Sequence, residues 1–322
     1  MTDAALAAAL QNIPENVRDR VAAPRIAGGV LSLVLDATGL SISDRIKLES
    51  QVRTGVEGLP GIDAVRIAVT ADKVHRTIIA VGSGKGGVGK STVSANLAIA
   101  LARTGRKVGL VDADIYGPSQ PRLLGSDERP EAVEKTIIPV EAQGIRLLSI
   151  GQLVDKDAAL AWRGAMATKA LGQLLDGDWG DTEILVVDLP PGTGDVQLSL
   201  MQNWKPAGAV IVSTPQDLAL IDARRAIDLF NKMGVPILGL VENMAGYACP
   251  HCGEMSDPFG SGGAEAAARS MEIPFLGRVP LTLAIREASD AGRPPAASDG
   301  EEGRAFHAIA ARLIERMNQS AA

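Results

Sequence analysis

The chain has 322 residues, 46 % of them hydrophobic, and its 32 basic and 38 acidic residues leave a formal charge of −6. With no long basic run and 3 % aromatics, this balance argues against nucleic acid as the main partner, since phosphates need a basic face and bases need stacking platforms. No apolar stretch approaches the ~20 residues of a membrane span, and MTDAALAAAL lacks the charged start and long apolar core of a signal peptide. The expectation is no membrane. Two cysteines, spaced C-x-x-C, suit a reducing compartment better than a disulfide framework, so the cytoplasm is the default.

Residues 1–72 read as a small α+β accessory domain. The pattern predicts a helix over Thr2–Ile13, a strand over Val30–Leu35, and an alternating strand over Val65–Val69. Between the strands, Ser43 is expected to cap a helix that carries Leu48, Val52, Val56 and Leu59 on one face. Residues 73–76 form a polar linker. From Thr77 to the end, residues 77–322, strands and helices alternate. Strands are predicted at Thr77–Val81, Lys107–Asp112, Arg146–Ile150, Ile184–Asp188, Ala209–Ser213, Ile237–Glu242 and Phe275–Val279. Helices are predicted at Met166–Leu175, Leu218–Met233, Gly263–Met271 and Glu301–Asn318. This order implies an α/β fold: a mostly parallel sheet with helices on both faces and ligands at the strands' carboxyl ends.

The first of these strands runs into Gly84-Lys85-Gly86-Gly87-Val88-Gly89-Lys90-Ser91, which fits G-x-x-x-x-G-K-[ST] at every fixed position. Glycines free the backbone to turn successive N–H groups toward phosphate oxygens, and the helix starting near Lys90 adds its positive end. Lys90 can bridge the β- and γ-phosphates, and the Ser91 hydroxyl can bind Mg²⁺. Gly84 through Thr92 therefore form a nucleotide-phosphate site, followed by SANLAIALARTG, an expected amphipathic helix. A P-loop needs one lysine; Lys85 is a second.

Three later strands end in polar residues. Val108–Val111 leads to Asp112 and, two residues on, Asp114. Ile184–Val187 ends in Asp188, a Walker B pattern suited to holding a Mg²⁺-bound water. After it, LPPGTGD offers Gly192, whose N–H can meet a γ-phosphate and let go after hydrolysis. Glu242-Asn243-Met244 is expected to end another strand, where the Asn243 amide can hydrogen-bond an adenine. Then come Cys249 and Cys252 in CPHCG. Half of a zinc site, a redox dithiol and half of a two-subunit Cys₄ cluster site are all open to such a pair.

Several stretches together resemble one family. KGGVGKS is similar to the deviant Walker A of the group that includes ParA, MinD, the nitrogenase iron protein and Mrp/ApbC-type iron–sulfur carriers. DADIYGPS, DLPPGTGD, STPQD, VENM, CPHCG and the FGSGG turn resemble the Mrp branch within it, and Trp162-Arg163-Gly164-Ala165-Met166 resembles its WRGPM element with alanine for proline. The resemblance implies a P-loop ATPase of deviant Walker A type. Lys85 would reach a dimer partner's ATP, Asp114 would orient the attacking water, and Asp112 would lie near the Mg²⁺ shell. Asn243 would contact the base, and Cys249 and Cys252 would bind a [4Fe–4S] cluster across a homodimer for delivery to apo-proteins. Residues 1–72 weakly resemble the small domain found alone in iron–sulfur assembly factors. A ParA/MinD-like positioning switch and a zinc-stapled regulatory ATPase remain the alternatives. The apolar stripe Phe306, Ile309, Leu313, Ile314 and Met317 lacks a lysine-rich flank and is expected to pack on the core rather than on lipid.

Overall fold

A computed structural model describes residues 2–71, 75–133, 135–153, 164–249 and 251–320. It divides into two compact units: Met1–His75 with Asp178–Asp181, and Arg76–Gly177 with Thr182–Ala322.

The smaller unit holds α1 (Thr2–Asn12), α2 (Glu15–Arg18), β1 (Val21–Ala27), β2 (Val30–Asp36), α3 (Ile42–Val56) and β3 (Ala64–Thr70). Its sheet runs β1-β2-β3, with β2 antiparallel to β1 and parallel to β3. Leu31, Leu33 and Leu35 alternate inward on β2 and meet Leu48, Val52 and Val56 of α3. The cap of α3 is Ser41, not Ser43: the Ser41 hydroxyl accepts from Asp44 N at 3.0 Å. Ser43 is the second residue of the helix, inside its first turn, and Ser41 sits just outside it. Strand β1 was unforeseen, because VAAPRIA carries a proline and little apolar alternation.

The larger unit contains β4 (Thr77–Gly82), α4 (Lys90–Ala102), β5 (Val108–Asp112), α5 (Gln120–Leu123), β6 (Glu131–Val133), β7 (Thr136–Ile138), β8 (Val140–Ala142) and β9 (Ile145–Ser149). Then follow α6 (Ala165–Leu175), β10 (Ile184–Asp188), α7 (Asp195–Asn203), β11 (Gly208–Ser213), α8 (Asp217–Lys232) and β12 (Ile237–Ala248). The last elements are β13 (Met255–Ser256), α9 (Gly263–Ser270), β14 (Phe275–Leu281), α10 (Leu283–Asp290) and α11 (Glu301–Ser320). Among the described residues the main sheet runs β13-β12-β11-β4-β10-β5-β9-β8, with β14 also beside β12. Its pairs are parallel except at β12–β13 and β8–β9.

Both faces of this sheet are covered. Val81, Leu110, Val186 and Val210 join one core cluster with α4 and α11, while the alternate residues Ala80, Val111, Val187 and Ile211 are buried outside that cluster. Helix α4 departs from the amphipathic expectation: Val93 through Leu101 are all buried. It is packed between the sheet and α11, so it has no wet face. Its polar Asn96 is satisfied, donating to Thr92 O at 2.9 Å and accepting from Ala296 N at 2.8 Å. The stripe on α11 packs into the same cluster, with Phe306, Ile309 and Leu313 at most 1 % exposed. Strand β12 runs past its expected end at Glu242 to Ala248, despite positive φ at Met244 and Gly246. It therefore delivers Cys249 directly from the sheet.

Candidate nucleotide and metal sites

Parallel register builds the first site. Val81, Asp188, Asp112 and Ser149 lie in one row across β4, β10, β5 and β9, at the strands' carboxyl ends. The glycine loop leaves β4 beside that row. Gly84 is required for space rather than for conformation, because a Cβ there would sit 2.0 Å from the Asp222 backbone of α8. Gly89 is required for conformation, with φ at +78°, and a Cβ there would also displace the Asn243 amide, 2.1 Å away. The loop, with Asp114, Ser119, Leu123 and Pro191, lines a cavity of about 260 Å³. A larger cavity of about 480 Å³, by Lys135, Lys169 and Trp204, has no buried polar group converging on it.

The site is internally bonded. Lys90 Nζ donates to Asp188 Oδ1 at 2.5 Å and to Ser91 Oγ at 3.3 Å. Ser94 Oγ also donates to Asp188 Oδ1, at 2.8 Å, and Gln120 Nε2 donates to Asp188 Oδ2 at the same distance. Asp112 Oδ2 accepts from Ser119 N, Gln120 N and Ser149 Oγ, at 3.0, 3.0 and 2.9 Å. Burial and the neighbouring Asp188 push the Asp112 carboxyl up to about 7, against the pull of those donors and of Lys90. Asp114 Oδ1 takes Tyr116 N and Gly117 N at 3.2 and 3.3 Å, which closes a tight turn just after β5.

Each loop residue expected to bind phosphate, Gly84 through Thr92, is in the loop or the first turn of α4, and Lys85 is exposed on its rim. Two expected contacts are otherwise engaged. Gly192 N donates to Ser83 O at 2.9 Å, so its N–H must leave that carbonyl to meet a phosphate. Asn243 Nδ2 donates to Val88 O at 2.7 Å and braces the loop. Ser91, Asp112 and Asp188 form an all-oxygen donor set, the kind that suits Mg²⁺. Gln120 Oε1, buried with no hydrogen-bond donor, is a further acceptor at the same place.

The second site is the hairpin between β12 and β13. Tyr247 pairs with Ser256 and Ala248 with Met255, which places Cys249, Cys252 and Gly253 between the two strands. Cys249 N donates to Glu254 O at 2.9 Å, and Gly253, at φ +73°, returns its N–H to Cys249 O at 2.8 Å. This tight turn aims the Cys252 and His251 N–H groups at Cys249, and with the Cys252 thiol they hold its thiol below the usual range. Cys249 is half-buried and Cys252 exposed; neither is in a disulfide. Among the described residues no cluster of three or more His, Cys, Asp or Glu side chains is arranged to hold a metal ion.

Sequence reasoning missed Gln120, Ser94, Ser149 and Glu242. Glu242 is fully buried, accepting from Gly262 N and Arg278 Nε through Oε1 and from Ala264 N through Oε2, at 3.2, 2.9 and 2.7 Å. It ties the far side of the cysteine segment to β12. Its place at a strand's carboxyl end was the available signal. In the WRGAM stretch, Trp162 and Arg163 lie outside the described residues, as do Lys73 and Val74 of the linker and Pro250 of CPHCG.

A glycine-rich loop between a central parallel strand and a buried helix, facing Asp188 on the adjacent strand, defines a P-loop NTPase. The family model for the NUBPL iron-transfer P-loop NTPases, of ParA type, matches residues 74–314, and the chain belongs to that family. It is 48 % identical over 265 residues to the iron-sulfur cluster carrier protein of Escherichia coli K12, covering 81 % of this chain and 69 % of that one. It is 47 % identical over 251 residues to the mouse iron-sulfur cluster transfer protein NUBPL, covering 76 % and 79 %. Among solved structures, a nucleotide-binding protein of Archaeoglobus fulgidus in complex with ADP is 40 % identical, with a TM-score of 0.62 over 71 % of this chain and 90 % of that one. The cell division ATPase MinD of Pyrococcus furiosus is 27 % identical at TM-score 0.58, covering 75 % and 99 %.

Proposed function

We propose that the protein is an ATP-hydrolysing iron–sulfur cluster carrier of the cytoplasm. In this reading it holds a [4Fe–4S] cluster across a homodimer and delivers it to apo-proteins. The carrying observation is the Cys249–Gly253 turn, a thiolate-favouring half-site on the same unit as a complete phosphate loop. The chain has only these two cysteines, and a [4Fe–4S] cluster takes four thiolates, so two chains are needed.

Nucleotide binding in this reading begins with the exchange of partners by Lys90. Its ammonium leaves Asp188 for the phosphates, which frees that carboxylate toward the metal side. Bound Mg²⁺ would supply charge neutralisation at the β- and γ-phosphates, held through Ser91 and Asp188 with Asp112 behind them. Asp114, on the cavity wall, is positioned to orient water, and Lys85 reaches the partner's nucleotide. Gly192 gives up Ser83 O when a γ-phosphate arrives and returns after its loss, which links phosphate state to the segment after Asp188.

Anaerobic reconstitution with iron and sulfide tests the assignment. Wild type is expected to gain an absorption band near ~400 nm, which Cys249→Ala and Cys252→Ala each abolish while ATP affinity stays within about twofold. A protein that holds zinc and refuses iron would leave a zinc-stapled ATPase.

A further inference from the structure

Gln120 stands where three parts of the nucleotide site meet, and no part of the phosphate-loop pattern calls for it. Its side chain is fully buried. Nε2 donates to Ser91 O at 3.0 Å and to Asp188 Oδ2 at 2.8 Å, and its backbone N–H donates to Asp112 at 3.0 Å. Those two acceptors fix the amide's orientation, since turning it over would set Oε1 against a carbonyl and a carboxylate oxygen. Oε1 is consequently a buried acceptor with no donor. Buried polar atoms are nearly always paired, so this one calls for a missing donor.

The chemistry of the site limits what that donor is. Phosphate oxygens of a bound nucleotide are acceptors and have no proton to offer at neutral pH. The Lys90 ammonium, whose hydrogen bonds here go to Asp188 and Ser91, is the group the phosphates will claim. A water polarised by a divalent cation is a strong donor, and Asp188 and Ser91 are the residues such a cation would use. We propose that Gln120 is a positioning residue for the metal half of the site. Its Nε2 holds Asp188 and the Ser91 backbone in place, and its Oε1 accepts from a water that arrives on Mg²⁺. This inference rests on the Mg·nucleotide reading above and adds a residue to it.

The test compares ADP affinity of the full-length protein by calorimetry in Mg²⁺ and in EDTA, which separates the metal's contribution from the nucleotide's. Gln120→Met keeps the length and removes both donor and acceptor. The tightening of ADP by Mg²⁺ is expected to shrink about tenfold in this variant, the scale of one hydrogen bond to a charged group, with affinity in EDTA within about threefold of wild type. Should Gln120→Met not fold, ¹⁵N-labelled wild type decides. The Gln120 side-chain amide signals should move when Mg²⁺ joins the ADP complex and stay near their free positions with ADP alone. Equal losses for Gln120→Met in both buffers, an undiminished Mg²⁺ effect, or amide signals indifferent to Mg²⁺ would overturn the proposal alone. Wild type that binds no ADP in either buffer would overturn the nucleotide reading with it.

Discussion

The phosphate loop and the cysteine hairpin sit on the same unit and are built on opposite principles. Around the loop, Lys90, Ser94 and Gln120 all donate to Asp188 in a buried network that leaves Gln120 Oε1 without a donor, and a second network closes on Asp112. The hairpin is the reverse: two thiols on a tight turn, one half-buried and one exposed. Buried polar groups are costly to leave unpaired, so this network is completed from within the chain except at the one acceptor left for an incoming donor. Exposed thiols carry no such penalty, so a half-site can wait for a second copy and for cargo. One region is built almost wholly by folding, the other is finished by assembly.

This contrast sets the order in which substitutions should hurt. The largest effect falls on turnover. Asp114→Asn is expected to bind Mg·ATP and to hydrolyse it ~10²–10⁴-fold more slowly, since an amide orients and accepts from water less well than a carboxylate. Steady-state phosphate release measures this, and a drop under about threefold would hand the task to another residue, Asp112 first.

Packing at the loop comes next. Gly84→Ala drives a methyl group into the Asp222 backbone, where neither partner is a flexible side chain. Overpacking of that kind costs about 1–3 kcal/mol, a melting point lower by roughly 2–10 °C for a unit of this size. The iron-loading of the hairpin should be unaffected, which sharpens the separation of the two regions. Equal damage to both would mean that they fold as one network.

The smallest effect is a pH dependence. Asp112 is raised from 3.8 to about 7, so in that window the folded chain binds more protons than the unfolded one, and this group's contribution to stability falls as pH rises. Asp112→Asn removes the slope. Relative to wild type, its melting temperature should rise on going from about pH 5 to about pH 8 in the absence of nucleotide. A constant difference across that range would mean that the donors from Gln120 and Ser149 outweigh burial.

Local pattern carried much of the larger unit. The run Thr77–Val81, the glycine loop and Asp188 are read from adjacent residues, and the strands fall within a residue of their predicted starts. Partners across long separations were not legible. Gln120 meets Asp188, 68 residues away, and Asn243 meets Val88, 155 away, through sheet register that no short motif encodes. Asn243 shows the consequence: its type suggests base recognition, and its bond to Val88 O adds a contact to the loop that its type does not announce. Helix α4 was read as amphipathic because a window cannot see that α11 returns to cover its outer side. The three-residue strands β6, β7 and β8 lack the length that makes a period visible.

The central claim is that one chain supplies half of a cluster site. Sedimentation of the anaerobically reconstituted protein, followed at both ~280 and ~400 nm, tests it most directly, with iron counted in each boundary. The account predicts that the ~400 nm signal travels only with the dimer, at about four irons per two chains, and that the iron-free protein shifts toward monomer. Iron or zinc carried at full stoichiometry by a monomer would contradict it.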